Sequence, residues 1–159
     1  MHSIQNDTAR FEKAMDNLRD GDAPFAAETI YSLSDLAGER LETFFAVWSG
    51  LPAERRRGLI ARLVETAETN FELDFSAIVF PALEDRDEQI RKVAVEGVFE
   101  DSPLSVIERL MDIAQNDPFS EIRASAAAAL GQFVLRGELG KLPTSLNARL
   151  QDTMLALHH

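Results

Sequence analysis

The feature that most restricts the fold of this chain is a motif that occurs twice, thirty-two residues apart. Each copy has an aspartate at a turn, an Ile-Arg pair five and six residues later, an alanine three residues after the arginine, and an aliphatic residue four residues after the alanine. The copies are Asp85, Ile90, Arg91, Ala94 and Val98, and then Asp117, Ile122, Arg123, Ala126 and Leu130. Recurrence with a period of roughly 20 to 50 residues is typical of stacked helical repeats.

Apolar residues at three- and four-residue spacing predict nine helices, and no stretch has the alternating β-branched pattern of a strand. The chain is therefore predicted to be all-α, with residues 1–7 frayed at its start. Pro81 predicts an early end or a kink in the fifth helix, and Phe71 and Leu73 are expected to fold back on the core. The predicted helix starts are Thr8, Pro24, Ser34-Asp35, Pro52, Asp74, Glu88, Ser102, Ser120 and Pro143 or Thr144, and the fourth, fifth and sixth helices are predicted to end near Asn70, Leu83 and Phe99.

The small residues of the motif indicate how the helices pack. Ala94 and Ala126 are expected where two helices approach closely, and Val98 and Leu130 where the same interface widens. One helix pair cannot cover its own apolar face, so neighbouring pairs must stack to form a continuous core.

The turn Asn116-Asp117-Pro118 with Ile122-Arg123 and Ala126 resembles the HEAT family, and most of all the short bacterial HEAT-like repeats of the PBS-lyase type. The first copy is similar, and the resemblance extends over residues 74–136. It implies an α-α superhelix, or HEAT-like solenoid, of four helix pairs and a terminal helix. It also implies that Asp85, Arg91, Asp117 and Arg123 form a structural ladder between adjacent repeats.

The rest of the chain resembles the family less strongly. Residues 8–70 are interpreted as degenerate repeats with an N-terminal cap, in which a shift of 35 residues places Arg56 at the ladder position of Arg91. The segments Phe45-Ala46-Val47-Trp48 and Gly137-Glu138-Leu139-Gly140 are similar to the N-terminal part of bacterial HEAT-repeat proteins, a resemblance that implies a fold and no reaction. The single predicted solenoid, 1–159, ends in a helix at 143–157, which is either a cap or, as we favour, the start of a pair in a longer chain. Residues 158–159 are interpreted as a tag remnant.

The charge of the chain and its lack of cysteine and internal histidine argue against several classes of function. The net charge is −11, from 27 acidic and 16 basic residues, which is unfavourable for binding nucleic acid or an anionic membrane. There is no cysteine, and the three histidines are His2, His158 and His159. Thiolate zinc sites, hydrolytic triads with histidine and di-metal Glu-x-x-His sites are therefore not expected, and we predict no enzyme activity and no cofactor. An N-terminus without an apolar signal core predicts a cytoplasmic protein.

Four groups of residues have alternative interpretations. Arg91 and Arg123 could bind a ligand instead of forming a ladder, and Arg55-Arg56-Arg57 could bind phosphate instead of being a solvated first turn. Aromatic residues of the third helix could line a groove, although their spacing favours a core. Scattered carboxylates could act in pairs as general acid and base or bind a metal, although solvated acidic faces are favoured. The aromatic residues are Phe44, Phe45 and Trp48, and the carboxylates are Glu65, Glu68, Glu72, Asp74 and Glu84.

The predicted function is a non-catalytic scaffold that binds a protein or peptide along the concave face, which in HEAT repeats is formed by the second helix of each pair. The positions expected to be exposed there are Arg55, Arg62, Glu88, Lys92, Glu96, Glu121 and Gln132. Because some HEAT-like relatives are bilin lyases or act on alkylated DNA, an enzyme is the alternative. A self-assembly module that stacks through the ninth helix is another, and a monomer or weak homo-oligomer is expected.

Overall fold

The computed structural model describes residues 2–99 and 101–157, with side chains from Gln5 onward, and all regular structure in these ranges is helical. The all-α prediction is thereby confirmed, whereas the predicted tag residues lie outside the described ranges. The helices are α1 (His2–Arg19), α2 (Ala27–Ser32), α3 (Gly38–Gly50), α4 (Ala53–Thr69), α5 (Ser76–Ala82), α6 (Glu88–Glu96), α7 (Leu104–Asn116), α8 (Ser120–Glu138) and α9 (Thr144–Leu157). None of these helices combines the length and hydrophobicity needed to span a bilayer.

The chain divides into two compact units, residues 1–79 and residues 80–159. In the first unit α1 packs against α2 and α3. The inward side of α1 carries Phe11, Ala14, Met15 and Leu18, all buried, as the apolar spacing predicts. The start of α1 was predicted wrongly, because this helix begins at His2 and not at Thr8.

The starts of α2 and α3 also differ from the predictions. Helix α2 begins at Ala27, beyond Pro24, and α3 begins at Gly38, beyond Ser34 and Asp35. Ser34 and Asp35 instead hold the loop before α5: the Asp35 N–H donates to the Asp74 carbonyl at 2.8 Å, and the Ser34 hydroxyl accepts from the Asp74 N–H at 2.9 Å. The predicted cap residues therefore fix a connection between loops.

Helix α4 agrees closely with its predicted range, and Leu59, Ile60 and Leu63 on it are fully buried. The prediction that the following loop folds back on the core was wrong for Phe71, whose side chain is 94% exposed, whereas Leu73 is half-buried. Phe71 lies in a turn in which the Asn70 carbonyl accepts from the Leu73 N–H at 3.3 Å. The turn directs this aromatic ring away from the core.

In the second unit α8 packs against α6, α7 and α9. Ala94 of α6 and Ala126 of α8 are both completely buried, as expected where helices approach closely. Val98 and Leu130 are buried as well. Helix α5, whose residues fall partly in the first unit and partly in the second, extends one residue beyond Pro81, which agrees with the predicted early end.

Two boundaries in the second unit differ from the sequence prediction. Helix α6 ends at Glu96 and not at Phe99, because the Gly97 N–H closes the last turn onto the Val93 and Ala94 carbonyls, both at 3.0 Å. Ser102 was predicted to cap α7, but the residue at that position is Pro103. The Ser102 hydroxyl instead accepts from the Phe99 N–H at 3.0 Å.

Candidate functional site

Asp117 occupies the turn between α7 and α8 and is the acidic member of the second motif. Its side chain is only 4% exposed. One carboxylate oxygen, Oδ1, accepts from the Phe119 N–H at 3.0 Å, an interaction that shapes the turn leading into α8. A buried carboxylate needs further donors, because desolvation penalises its charge.

Arg91 of α6 supplies these donors from the first motif. Its Nε donates to Asp117 Oδ2 at 2.9 Å, and its Nη2 to Asp117 Oδ1 at 3.3 Å. The remaining nitrogen, Nη1, donates to the carbonyls of Asp85 at 2.9 Å and Arg86 at 3.2 Å. A planar guanidinium bridging a carboxylate and two carbonyls joins the turn of the first motif to the turn of the second.

The pKa of Asp117 follows from this arrangement. Burial alone would raise the pKa of this carboxyl, but hydrogen bonds from Arg91 and the Phe119 N–H, with the charges of Arg91 and Arg123, lower it below its ordinary value of 3.8. Asp117 is therefore held as a carboxylate.

The two arginines of the motif make equivalent bonds to their own turns. Arg123 Nη1 donates to the Asp117 carbonyl at 2.7 Å, just as Arg91 Nη1 donates to the Asp85 carbonyl. Asp85 shapes its turn as Asp117 does, since its Oδ1 accepts from the Asp87 N–H at 2.9 Å. The spacing of six residues between aspartate and arginine thus has one geometric cause in both copies. These groups are occupied by internal bonds, which supports the ladder interpretation over a ligand-binding pair.

Arg55, predicted on the partner-binding face, has its guanidinium directed into the first unit. It donates to the carbonyls of Leu18 at 3.1 Å, Ala23 at 2.6 Å and Asn17 at 2.6 Å, and it stacks 4.0 Å from the Phe25 ring centroid. It thus ties the start of α4 to the end of α1 and the segment before α2. The sequence does not predict this role, because main-chain carbonyls are present at every residue and the pattern of side chains does not show which of them an arginine contacts.

Arg56, placed at a ladder position by the sequence shift, lies over the ring of Trp48 at 5.6 Å. Arg55 and Arg56 therefore reach different neighbours. The core interpretation of the aromatic residues is confirmed for Phe44 and Trp48, which are 0% and 8% exposed, while Phe45 is half-buried.

The other predicted face residues remain accessible to solvent. Lys92 of α6 and Glu121 of α8 approach each other, with Nζ 3.9 Å from Oε2. This contact connects the accessible sides of the two helices within the second unit. Of the remaining positions, Arg62, Glu96 and Gln132 are exposed and Glu88 is half-buried.

The first unit contains an open cavity of about 410 Å³ near the junction of α3 and α4. Among the described residues no group of histidine and carboxylate side chains is placed to hold a metal ion. Comparison of the chain with protein-family models, with curated proteins and with solved structures gave no match.

Proposed function

We propose that this chain is a non-catalytic interaction module of the HEAT-like kind, in which helix pairs stack as a solenoid. On this proposal it binds a protein or peptide segment on the second helices of its pairs. The observation that supports it most is the Arg91–Asp117 bridge, because it joins two successive motif turns in the way that a repeat ladder requires. The packing of α6 against α8 and of α9 against both α7 and α8 suits the same arrangement.

The proposed binding surface, called here the α6–α8 surface, consists of Glu88, Lys92, Glu96, Glu121 and Gln132. Three of these side chains are acidic and one is basic, so the surface favours a partner segment with net positive charge. Arg62 of the first unit stays a further candidate. Arg55 is assigned a structural role instead, because its guanidinium is used by main-chain carbonyls.

Selection from a random peptide library on the immobilised protein tests this function. We expect saturable binding of peptides with net positive charge. The double variant Glu96→Lys/Glu121→Lys should weaken it about tenfold or more, since charge reversal in an interface turns attraction into repulsion. The control variant Asp112→Lys/Asp152→Lys makes the same change of net charge at exposed positions of α7 and α9.

Failure to select any saturable ligand would count against a binding module. Equal weakening by both double variants would show that total charge, and not the α6–α8 surface, determines binding. Thermal unfolding should show that each variant stays folded with at most a small loss of stability, because all four positions are exposed and only Glu121 and Asp112 lose a surface contact there, with Lys92 and Asn116.

A further inference from the structure

The internal bonds of the two motif turns leave part of the Arg123 guanidinium unused. Its Nη1 donates to the Asp117 carbonyl at 2.7 Å, as Arg91 Nη1 donates to the Asp85 carbonyl at 2.9 Å. In the part of the chain that the structure describes, Arg123 Nε and Nη2 donate to no acceptor. Arg123 is half-buried, and neither nitrogen is buried without a partner, so solvent reaches both. One edge of this guanidinium is therefore open.

The same edge of Arg91 shows what such a group binds. Arg91 Nε and Nη2 hold the two carboxylate oxygens of Asp117, at 2.9 and 3.3 Å. Because the Nη1 bonds of both arginines go to their own turns, the guanidinium of Arg123 is anchored in the same way as that of Arg91. An anchored planar guanidinium presents two N–H groups at the spacing of a carboxylate. The open edge of Arg123 thus has the chemistry of a carboxylate site.

The neighbouring helix α9 supplies no carboxylate to this edge. It lies beside α7, where the Thr153 hydroxyl donates to Met111 Sδ at 3.4 Å. Asp117 comes six residues after Met111, which is about 9 Å further along a helix axis. The one acidic residue of α9, Asp152, directly precedes Thr153 and cannot reach the equivalent position at the end of α9. Among residues with described side chains, no carboxylate lies within ion-pair distance of Arg123.

We propose that Nε and Nη2 of Arg123 form a binding site for one carboxylate of a partner protein, and that the preferred ligand is an aspartate at a turn leading into a helix. The ligand class follows from Arg91, whose equivalent nitrogens bind the aspartate of such a turn. The Asp117 carboxylate also accepts from the Phe119 N–H of its own turn at 3.0 Å. A partner aspartate held in this way is pre-organised, so it loses little freedom on binding.

This site is independent of the proposed function. It contains no residue of the α6–α8 surface, and its ligand is acidic, whereas that surface favours a segment with net positive charge. Loss of binding at one of the two sites therefore leaves the other unaffected.

NMR titration of the isotope-labelled protein with a short peptide tests the site. The probe, called here the Asp peptide, is acetyl-Asp-Pro-Phe-amide, which has the residues of the turn at 117–119. Its matched control, the Asn peptide, is acetyl-Asn-Pro-Phe-amide, which has the same shape without the charge. The titration extends to high concentration, because an accessible ion pair is weak. The ionic strength is kept constant, because salt screens exposed charges.

We expect the Asp peptide to move the Nε–H resonance of Arg123 saturably toward that of Arg91, because both groups then donate to a carboxylate. The Asn peptide should bind about tenfold or more weakly, since it lacks the charge that strengthens these bonds. Arg62 of α4 is the control for general attraction to positive charge, because it is exposed. Its Nε–H resonance should show no saturable shift.

The variant Arg123→Lys keeps the positive charge and removes the two-nitrogen edge. It should weaken binding of the Asp peptide about tenfold or more, as measured at the backbone amides of Phe119 and Ser120. Circular dichroism verifies that the variant folds. If it does not fold, the wild-type titrations with the two peptides decide the matter alone.

An Arg123 Nε–H resonance that stays in place at the highest concentration of the Asp peptide would overturn the inference. Equal responses to the Asp and Asn peptides would overturn it too, as would equal shifts at Arg62 and Arg123. Inorganic phosphate that binds at Arg123 more tightly than the Asp peptide would overturn the assignment of a carboxylate as the ligand.

Discussion

Arg91 and Arg149 allow a comparison between a buried and an exposed ion pair in the same unit. The Arg91 and Asp117 side chains are 12% and 4% exposed, whereas Arg149 and Glu108 are each 56% exposed with Nη2 2.6 Å from Oε1. Removing one partner of a buried pair leaves the other charge desolvated, while an exposed pair is replaced by water. The shorter pair should therefore matter less.

We expect Arg91→Ala to lower the free energy of unfolding by about 3 kcal/mol. Arg149→Ala should lower it by less than about 1 kcal/mol. Urea unfolding of both variants at neutral pH measures the difference. Equal losses, or an Arg91→Ala variant as stable as the wild type, would contradict the ladder role proposed for this arginine.

The lowered pKa of Asp117 makes the contribution of this pair depend on pH. A carboxyl whose pKa is lower in the folded than in the unfolded state stabilises the fold above its unfolded value of 3.8. That stability is lost as the pH falls from there through the lower folded value. The wild type should therefore exceed Asp117→Asn in stability most at pH 7, and the difference should shrink as the pH falls below 3.8.

Urea unfolding of the wild type and Asp117→Asn from pH 7 downward measures this difference. Asp152→Asn, at an exposed position of α9, serves as the control and should stay close to the wild type at every pH. A difference between wild type and Asp117→Asn that is constant with pH would mean that shape, and not the charge of the carboxylate, determines the effect.

The sequence predicted the residues of the Arg91–Asp117 bridge and missed the bridge that Arg55 makes in the first unit. Repetition identified Asp85, Arg91, Asp117 and Arg123, because a recurring turn and helix require the same residues in the same register. It did not identify Arg55, whose partners are the main-chain carbonyls of Asn17, Leu18 and Ala23. Every residue has a carbonyl, so only the folded backbone shows which ones an arginine reaches.

Helices were predicted well where an apolar stripe continues to both ends. Helix α4 agrees with its predicted range to within one residue, and α9 begins at one of the two predicted residues, Thr144. Predictions failed where a cap-forming side chain had another partner. Ser34, Asp35 and Ser102 are good N-cap residues in isolation. The Ser34 hydroxyl instead accepts from the Asp74 N–H and donates to the Asp35 carboxylate. The Ser102 hydroxyl accepts from the Phe99 N–H. The preference of these residues for N-cap positions was therefore outweighed by a contact distant in sequence for Ser34 and by a local turn for Ser102.

The two glycines of α8, Gly131 and Gly137, differ in how much space surrounds them, so packing and helix propensity can be tested separately. A Cβ at Gly137 would lie 2.8 Å from Asn147 Cγ and 3.3 Å from Leu142 Cδ1, whereas a Cβ at Gly131 meets nothing within 4 Å. Gly137 thus permits the close approach of Asn147 on α9. Asn147 Oδ1 is buried there, and no donor among the described residues reaches it.

We expect Gly131→Ala to stabilise the protein by up to about 1 kcal/mol, because alanine favours the helix. Gly137→Ala should instead destabilise it by about 1–3 kcal/mol, since the new methyl group overpacks the contact with α9. The double variant Gly137→Ala/Asn147→Ala should recover most of this loss. Thermal unfolding measures all three, and a stabilised Gly137→Ala variant would show that α9 shifts without cost.

At the scale of the whole molecule, each compact unit has its own arginine bridge. Arg55 joins α4 to the end of α1 in residues 1–79, and Arg91 joins the two motif turns in residues 80–159. Both guanidiniums are half-buried or better and bond to several acceptors. We therefore expect the Arg55 bridge and the Arg91 bridge to contribute to stability in different parts of the chain, in addition to the apolar cores.

Hydrogen exchange can show which helices each arginine bridge stabilises, because the exchange rate of an amide reports the free energy of opening at that position. We expect Arg55→Ala to accelerate exchange first in α1 and α4, and Arg91→Ala first in α6 and α8. The control Arg62→Ala removes an exposed arginine from α4 and should change neither unit. If Arg91→Ala accelerated exchange equally in both units, the chain would open as one cooperative body. In a repeat protein each helix pair contacts only its neighbours, so exchange should instead accelerate most in the helices next to the substituted arginine.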